Sequence, residues 1–252
     1  MKKLYILFIA IALISSTSFA QKGLNIGLNG SYNAVSIVNQ NTWGASNENG
    51  DVQEYDFDLT FGAGFGFDIG YNFDDKLGVY TGFRMMDLGN DYHDSYNWNG
   101  KDSKFDRKLK LSYNVIPVTF KFTGSKSTVN FIGGIGVLIA MMNKAEQTWT
   151  IDEEPYSAEY FNESTDKVYD VAATDVTDRF NSLDFIMNLE LGARIFLIDN
   201  LYIDATMNFG YGLTDINHED WHMINADGEY KASHNAFAGA KIGIAYVLFG
   251  EY

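Results

Sequence analysis

The chain has no cysteine and only 2 prolines in 252 residues. Without cysteine there is no disulfide, no thiolate nucleophile, no Cys-ligated metal and no lipid-modified N-terminal cysteine. Basic residues are also scarce: 18 Lys and Arg stand against 33 Asp and Glu, a net charge of −15. Binding to phosphate backbones needs a basic surface, so no nucleic-acid partner is expected. Long hydrophobic runs are missing too. Nothing in the chain reaches the ~18–20 apolar residues of a helical membrane span. Strands are not excluded by this, since they cross a membrane with only about 10 residues of alternating character.

What is present begins with a leader. Lys2 and Lys3 precede an apolar run from Leu4 to Ile14, and Ser18-Phe19-Ala20 puts small residues at the −3 and −1 positions of a cleavage site. This pattern predicts a signal peptide over residues 1–20 and an exported mature domain over 21–252. Losing the two lysines takes the net charge to −15 − 2 = −17.

Period-2 alternation dominates the rest. From Phe57 to Phe73 the odd positions are Phe, Leu, Ala, Ile and Tyr, and the even ones Asp, Thr, Gly and Asn. Such a run has one apolar face and one small or polar face, and it is far longer than the ~5–6 residues of an ordinary strand. The pattern recurs and predicts eight strands at about 23–38, 57–72, 77–88, 108–122, 128–142, 181–197, 201–214 and 235–250. Their connections alternate. Long ones cover about 39–56, 89–107, 143–180 and 215–234, and short ones carry turn residues such as Asp74-Asp75, Gly124-Ser125 and Asp199-Asn200. An even strand number, with short turns at one end and long loops at the other, is the plan of an outer-membrane barrel. The fold class expected is therefore all-β, an eight-stranded antiparallel up-and-down transmembrane β-barrel with both termini in the periplasm. Closure is required, because an open edge would leave backbone groups unpaired in hydrocarbon.

Apolar side chains should face lipid and their neighbours the lumen. The inner face then holds charges of both signs: Asp68, Asp184, Glu190 and Asp204 with Arg84, Lys121, Arg194 and Lys241. Buried charges pair or are solvated, and an eight-stranded lumen is just wide enough for side chains to fill. An ionic, hydrogen-bonded plug is expected. The alternative is a narrow passive pore.

The four long loops hold 23 of the 33 acidic residues and only 7 of the 18 basic ones. They read as solvated surface that can contact lipopolysaccharide, an extracellular ligand or another surface. None has the spacing of a dedicated calcium loop. Tyr71, Phe73, Tyr92, Tyr96, Trp98, Trp149 and Tyr211 near strand ends suggest interfacial girdles. The alternating end Ile242, Ile244, Tyr246, Leu248, Gly250, Tyr252 suggests a signal for the barrel assembly machinery.

Three stretches carry a family resemblance: "GLNIGLNGSYN" (Gly23–Asn33), "YNVIPVTFKF" (Tyr113–Phe122) and "FIGGIGVLIA" (Phe131–Ala140). With Tyr113, Ile116, Pro117 and Lys121 at the positions of a Y-x-x-I-P-x-x-x-K-like strand, the chain resembles the PorT-type outer-membrane β-barrel family of Bacteroidota. The resemblance implies an eight-stranded outer-membrane barrel over the whole mature chain, and no single activity. Pro117 cannot donate to a strand ladder, and the apolar parity changes beside it, from Leu109, Leu111, Tyr113 and Val115 to Val118, Phe120 and Phe122. A β-bulge at Pro117 is expected.

One motif points elsewhere. His218-Glu219-Asp220-Trp221-His222 matches H-E-x-x-H, which in zinc proteases sets two histidines one helical turn apart. Its flanks have no helical stripe, so His218 and His222 are weak metal candidates in a solvated loop. Ser233-His234 and Asp91-His93-Asp94 lack the local patterns of barrel hydrolases. No enzyme activity and no cofactor are expected. The function expected is structural or surface-interactive, with a narrow passive pore or a loop-borne metal site or hydrolase as the alternatives.

Overall fold

A computed structural model describes residues 22–40, 55–74, 76–98, 100–124, 128–155, 159–162, 167–170, 172–222 and 229–248. The predicted signal peptide, the 249–252 end and parts of the long loops lie outside the described residues.

Eight long strands form the fold: β1 (Gly23–Val38), β2 (Thr60–Asn72), β3 (Leu77–Trp98), β4 (Lys101–Thr123), β5 (Val129–Ile151), β6 (Leu183–Ile198), β7 (Leu201–Gly212) and β8 (His234–Leu248). Each pairs antiparallel with the next in sequence, and β8 pairs back onto β1 from Leu24↔Leu248 to Val38↔His234. The ring is closed, an up-and-down barrel without a free edge. Among the described residues no helix is long and apolar enough to cross a membrane.

The turn end is built by local chemistry. The Asp74 Oδ1 atom accepts hydrogen bonds from the Lys76 and Leu77 amides, at 2.7 and 2.8 Å, and closes the β2–β3 turn. Both ends of the ring, Gly23 and Leu248, lie at this end, beside Asn72 and Leu24.

At the other end three strands overrun their predicted ends. β3 continues to Trp98, β4 starts at Lys101 and β5 reaches Ile151. The predicted loop 89–107 is thus mostly a β-hairpin, and with the start of the predicted loop 143–180 it makes a three-stranded sheet standing beyond the ring. At its tip Asp152 and Glu153, both at positive φ, turn β5 into a short strand at Glu154–Pro155. The long run expected from residue 57 is broken at Leu59: Asp56–Asp58 pairs with β3 separately from β2.

The expected bulge at Pro117 is absent. Pro117 pairs in register with Leu138, and the register of β4 with β5 shifts instead between Ser112 and Tyr113, which face Lys144 and Met142 across the extra residue Asn143. The parity of β4 does not change either. Odd positions from Ser103 to Thr123 are all buried. What changes is their polarity: Leu109, Leu111, Tyr113 and Val115 toward the loop end, Thr119 and Lys121 toward the turn end. The outward positions change in the opposite sense, from Lys108 and Lys110 to Phe120 and Phe122.

This inversion runs around the ring. Nearer the turn end the wall exposes Phe65, Phe67, Met85, Phe131, Met187 and Phe209, among others. An apolar patch encircling a whole molecule fits hydrocarbon, not water. Toward the loop end an ordinary core closes inside, with Val35, Leu88, Leu109, Leu111, Ile186 and Phe237 in one cluster. The small or polar inner face that the alternation predicts is thus confined to the belt.

Candidate functional site: a filled lumen and its cap

The structure brings the eight predicted lumen charges into the barrel and connects them in layers. Nearest the turn end, Arg194 grips Asp204 with two parallel bonds, Nε–Oδ1 at 2.8 Å and Nη2–Oδ2 at 2.9 Å. Its guanidinium lies 3.8 Å from the Tyr202 ring centroid, and the Tyr202 hydroxyl donates to Asn25 Oδ1 at 3.1 Å. The Tyr80 hydroxyl donates to Asn72 Oδ1 at 2.7 Å, and the Lys121 ammonium sits 4.5 Å over the Tyr80 ring.

The next layer centres on Glu190. Lys241 donates to it, Lys121 approaches its second oxygen at 3.6 Å, and Arg84 lies 3.8 Å away. Asp68 completes the group, accepting from Arg84 at 3.0 Å with Lys121 at 3.9 Å. These two anions and three cations sit on five strands, so the network ties opposite walls together. Above them Asn208 donates to Asn33 at 2.9 Å. Asp184, the eighth charge, accepts from Thr214 Oγ1 at 2.5 Å and Asn235 Nδ2 at 2.9 Å; Asn235 in turn bonds the Tyr113 hydroxyl. Four carboxylates and four cations balance overall. The cavity left among Asn29, Asp68, Tyr80, Lys121, Asp204 and Lys241 is about 20 Å3, the space of about one water molecule.

The loop end is capped. Segment 174–176 runs along β5, with Gln147 N donating to Thr174 O at 2.9 Å and Val176 N to Ala145 O at 3.0 Å. Val176, Phe180, Ile216 and Trp221 drop into the apolar cluster between the strands. Arg179 stacks on Trp221 at 4.3 Å, and Arg107 lies 5.5 Å from both the Tyr92 and Trp149 rings. Burial draws both guanidiniums down to about 10. Tyr92 and Trp149 are therefore a buried core with Tyr55 and Phe105, contrary to the girdle expected of them. Tyr71, Phe73 and Tyr211 are exposed at the belt edges. The side chains of Tyr96 and Trp98 lie outside the described residues.

The H-E-x-x-H residues form no helix. Glu219–Trp221 is a single 3-10 turn, His218 caps it by accepting from the Asp220 amide at 3.3 Å, and Trp221 points into the core. His222 turns to Asp215 at 3.4 Å and stacks on Tyr230 at 4.0 Å, away from His218 and Asp220. Among the described residues no three His, Asp or Glu side chains gather in a metal-binding arrangement. The Ser233 hydroxyl is buried and donates to Asn39 O, while His234 lies 3.0 Å from Thr214 O. His93 faces Asp58 at 3.3 Å on the outer wall.

A closed eight-stranded ring with an apolar outer belt and a charged interior defines a transmembrane β-barrel. The comparisons agree, and the chain belongs to the outer membrane protein beta-barrel domain family, whose family model matches residues 19–217. It is an outer-membrane protein. No curated protein matches the sequence. Similar solved structures include Neisserial surface protein A, 11% identical with a TM-score of 0.42, covering 90% of this chain and 98% of that one. Another is OprG of Pseudomonas aeruginosa, 13% identical with a TM-score of 0.40, covering 92% and 99%. A third is the attachment invasion locus protein of Yersinia pestis, 12% identical with a TM-score of 0.38, covering 90% and 100%.

Proposed function

We propose that this chain is a sealed barrel whose role is structural or surface-interactive: it holds a compact acidic cap at the cell surface and neither conducts solutes nor catalyses a reaction. The carrying observation is the lumen, where buried charges of both signs meet across the barrel and the cavity beside Asp68, Lys121 and Lys241 holds about 20 Å3. In this reading the turn end and both termini face the periplasm, and the loop end faces outward. The loop asymmetry supports that orientation, because short turns are the ordinary periplasmic connections of such barrels. Assembly then passes through the barrel assembly machinery, and the outer wall meets lipopolysaccharide. Within the family we place the chain with the PorT-type barrels, on Tyr113, Ile116, Pro117 and Lys121 of β4.

Planar-bilayer recording tests the sealed reading. The purified protein should give a flat baseline at neutral pH. Reproducible small conductance steps would replace this reading with the narrow passive pore.

A further inference from the structure

We propose that a groove on the outer wall, immediately above the apolar belt at the loop end, binds the phosphorylated sugar headgroup of a lipopolysaccharide-type glycolipid; this rests on the outward orientation proposed above. The groove holds about 650 Å3. On one side Tyr32 of β1 and Phe61 of β2 stack with centroids 5.3 Å apart and planes 5° from parallel, and both rings are exposed. They make an apolar aromatic plate on that side of the groove. Across the groove stand three carboxylates, Asp87 and Asp91 of β3 and Glu146 of β5, and two ammonium groups, Lys108 and Lys110 of β4. Lys110 and Asp87 are 2.9 Å apart, and both remain partly exposed. The Asp91 amide donates to Thr60 Oγ1 at 2.9 Å, which ties β3 to the start of β2 along the groove.

The chemistry of this lining is that of a sugar phosphate. The ring plate suits the C–H face of a pyranose, carboxylates accept hydroxyl hydrogen bonds, and ammonium groups take phosphate. The position narrows the ligand further. Directly below, the same wall exposes Phe65, Phe67 and Met85. One amphipathic molecule can therefore set its head in the groove and its acyl chains on the belt. A phospholipid phosphodiester would reach the lysines and leave the plate and carboxylates without contacts.

The test uses the full chain folded in neutral detergent micelles. It is titrated with deep-rough lipopolysaccharide and, separately, with phosphatidylglycerol as an anionic control. Lipopolysaccharide should bind at least about tenfold more tightly than phosphatidylglycerol. The double variant Lys108→Ala/Lys110→Ala should weaken it about tenfold, as the loss of two exposed charge contacts predicts, with heat-modifiability on gels retained. Tyr32→Ala, whose ring is exposed, should also weaken it and carries the test if the double variant misfolds. Equal affinity for the two lipids, or unchanged binding in the folded variants, overturns the proposal. Micelle binding does not depend on orientation in the cell. A failure here leaves the outward reading standing, and protease access on intact cells tests that reading alone.

Discussion

The two ends of the barrel obey opposite rules with the same strands. Within the belt, β4 turns Phe120 and Phe122 outward and Lys121 inward; above it, Lys108 and Lys110 face outward while Leu109 and Leu111 are buried. The backbone does not switch sides between them. The solvent outside does. Where hydrocarbon bathes the wall, apolar groups gain nothing by hiding, and the interior is left to groups that satisfy one another. Where water bathes it, the hydrophobic effect gathers apolar groups inside. The lower half is thus held by directional ionic contacts, and the upper half by packing beneath a folded cap.

That contrast can be broken first at Glu190. Glu190→Ala leaves Lys241, Lys121 and Arg84 sharing only Asp68 inside the belt, a loss of about 3–5 kcal/mol for an uncompensated buried charge. Urea unfolding in detergent should show a lowered midpoint; an unmoved one would mean the lumen network does not hold the barrel. A smaller effect is expected on the outer face. Phe120→Lys places in the belt the residue type that β4 already carries above it at Lys108 and Lys110, and should cost about 1–3 kcal/mol, between the interface and midplane values. Folding into lipid vesicles measures this, and wild-type stability in the variant would put the belt in the wrong place.

The smallest effect belongs to the far tip. Asp152 is held by Lys101 Nζ at 2.7 Å, the Lys104 amide at 3.0 Å and Ser103 Oγ at 3.1 Å. The Lys101 bond, first among these, lowers its carboxyl to about 2. A depressed carboxylate contributes stability at neutral pH that fades as the pH falls from the ordinary 3.8 through about 2. The Lys104 amide resonance should move in that window while resonances of the lower lumen stay fixed. A simultaneous shift of both would mean the halves are not independent.

The strands within the belt were legible because period 2 is strict there: parity alone assigned Asp68, Arg84, Glu190 and Arg194 to the lumen. Above the belt the same parity persists in Leu88, Asn90 and Tyr92 and again in Phe105, Arg107 and Leu109, but its polarity is that of a soluble sheet. Read as membrane strands those stretches fail, and so they pass for loops. The change of apolar pattern read beside Pro117 has the same origin and is not a change of facing. It is the membrane boundary crossing β4, and the ladder there keeps its register. Arg179 and Trp221 had no local signal of their own, since each finds its partner in another loop. Continuing the parity count past Leu88 would have recovered Tyr92 and Arg107.

The order of residues by itself determined the strand number, the inward and outward faces and the balance of lumen charge, because a two-residue repeat is a property of consecutive positions. Which charge meets which, where the bilayer ends and how the loops close the mouth were decided only by the folded ring. Glu190 and Lys241 lie on β6 and β8, and Arg84 lies across the lumen on β3; cylinder closure, which no local stretch of sequence encodes, puts them within reach of one another.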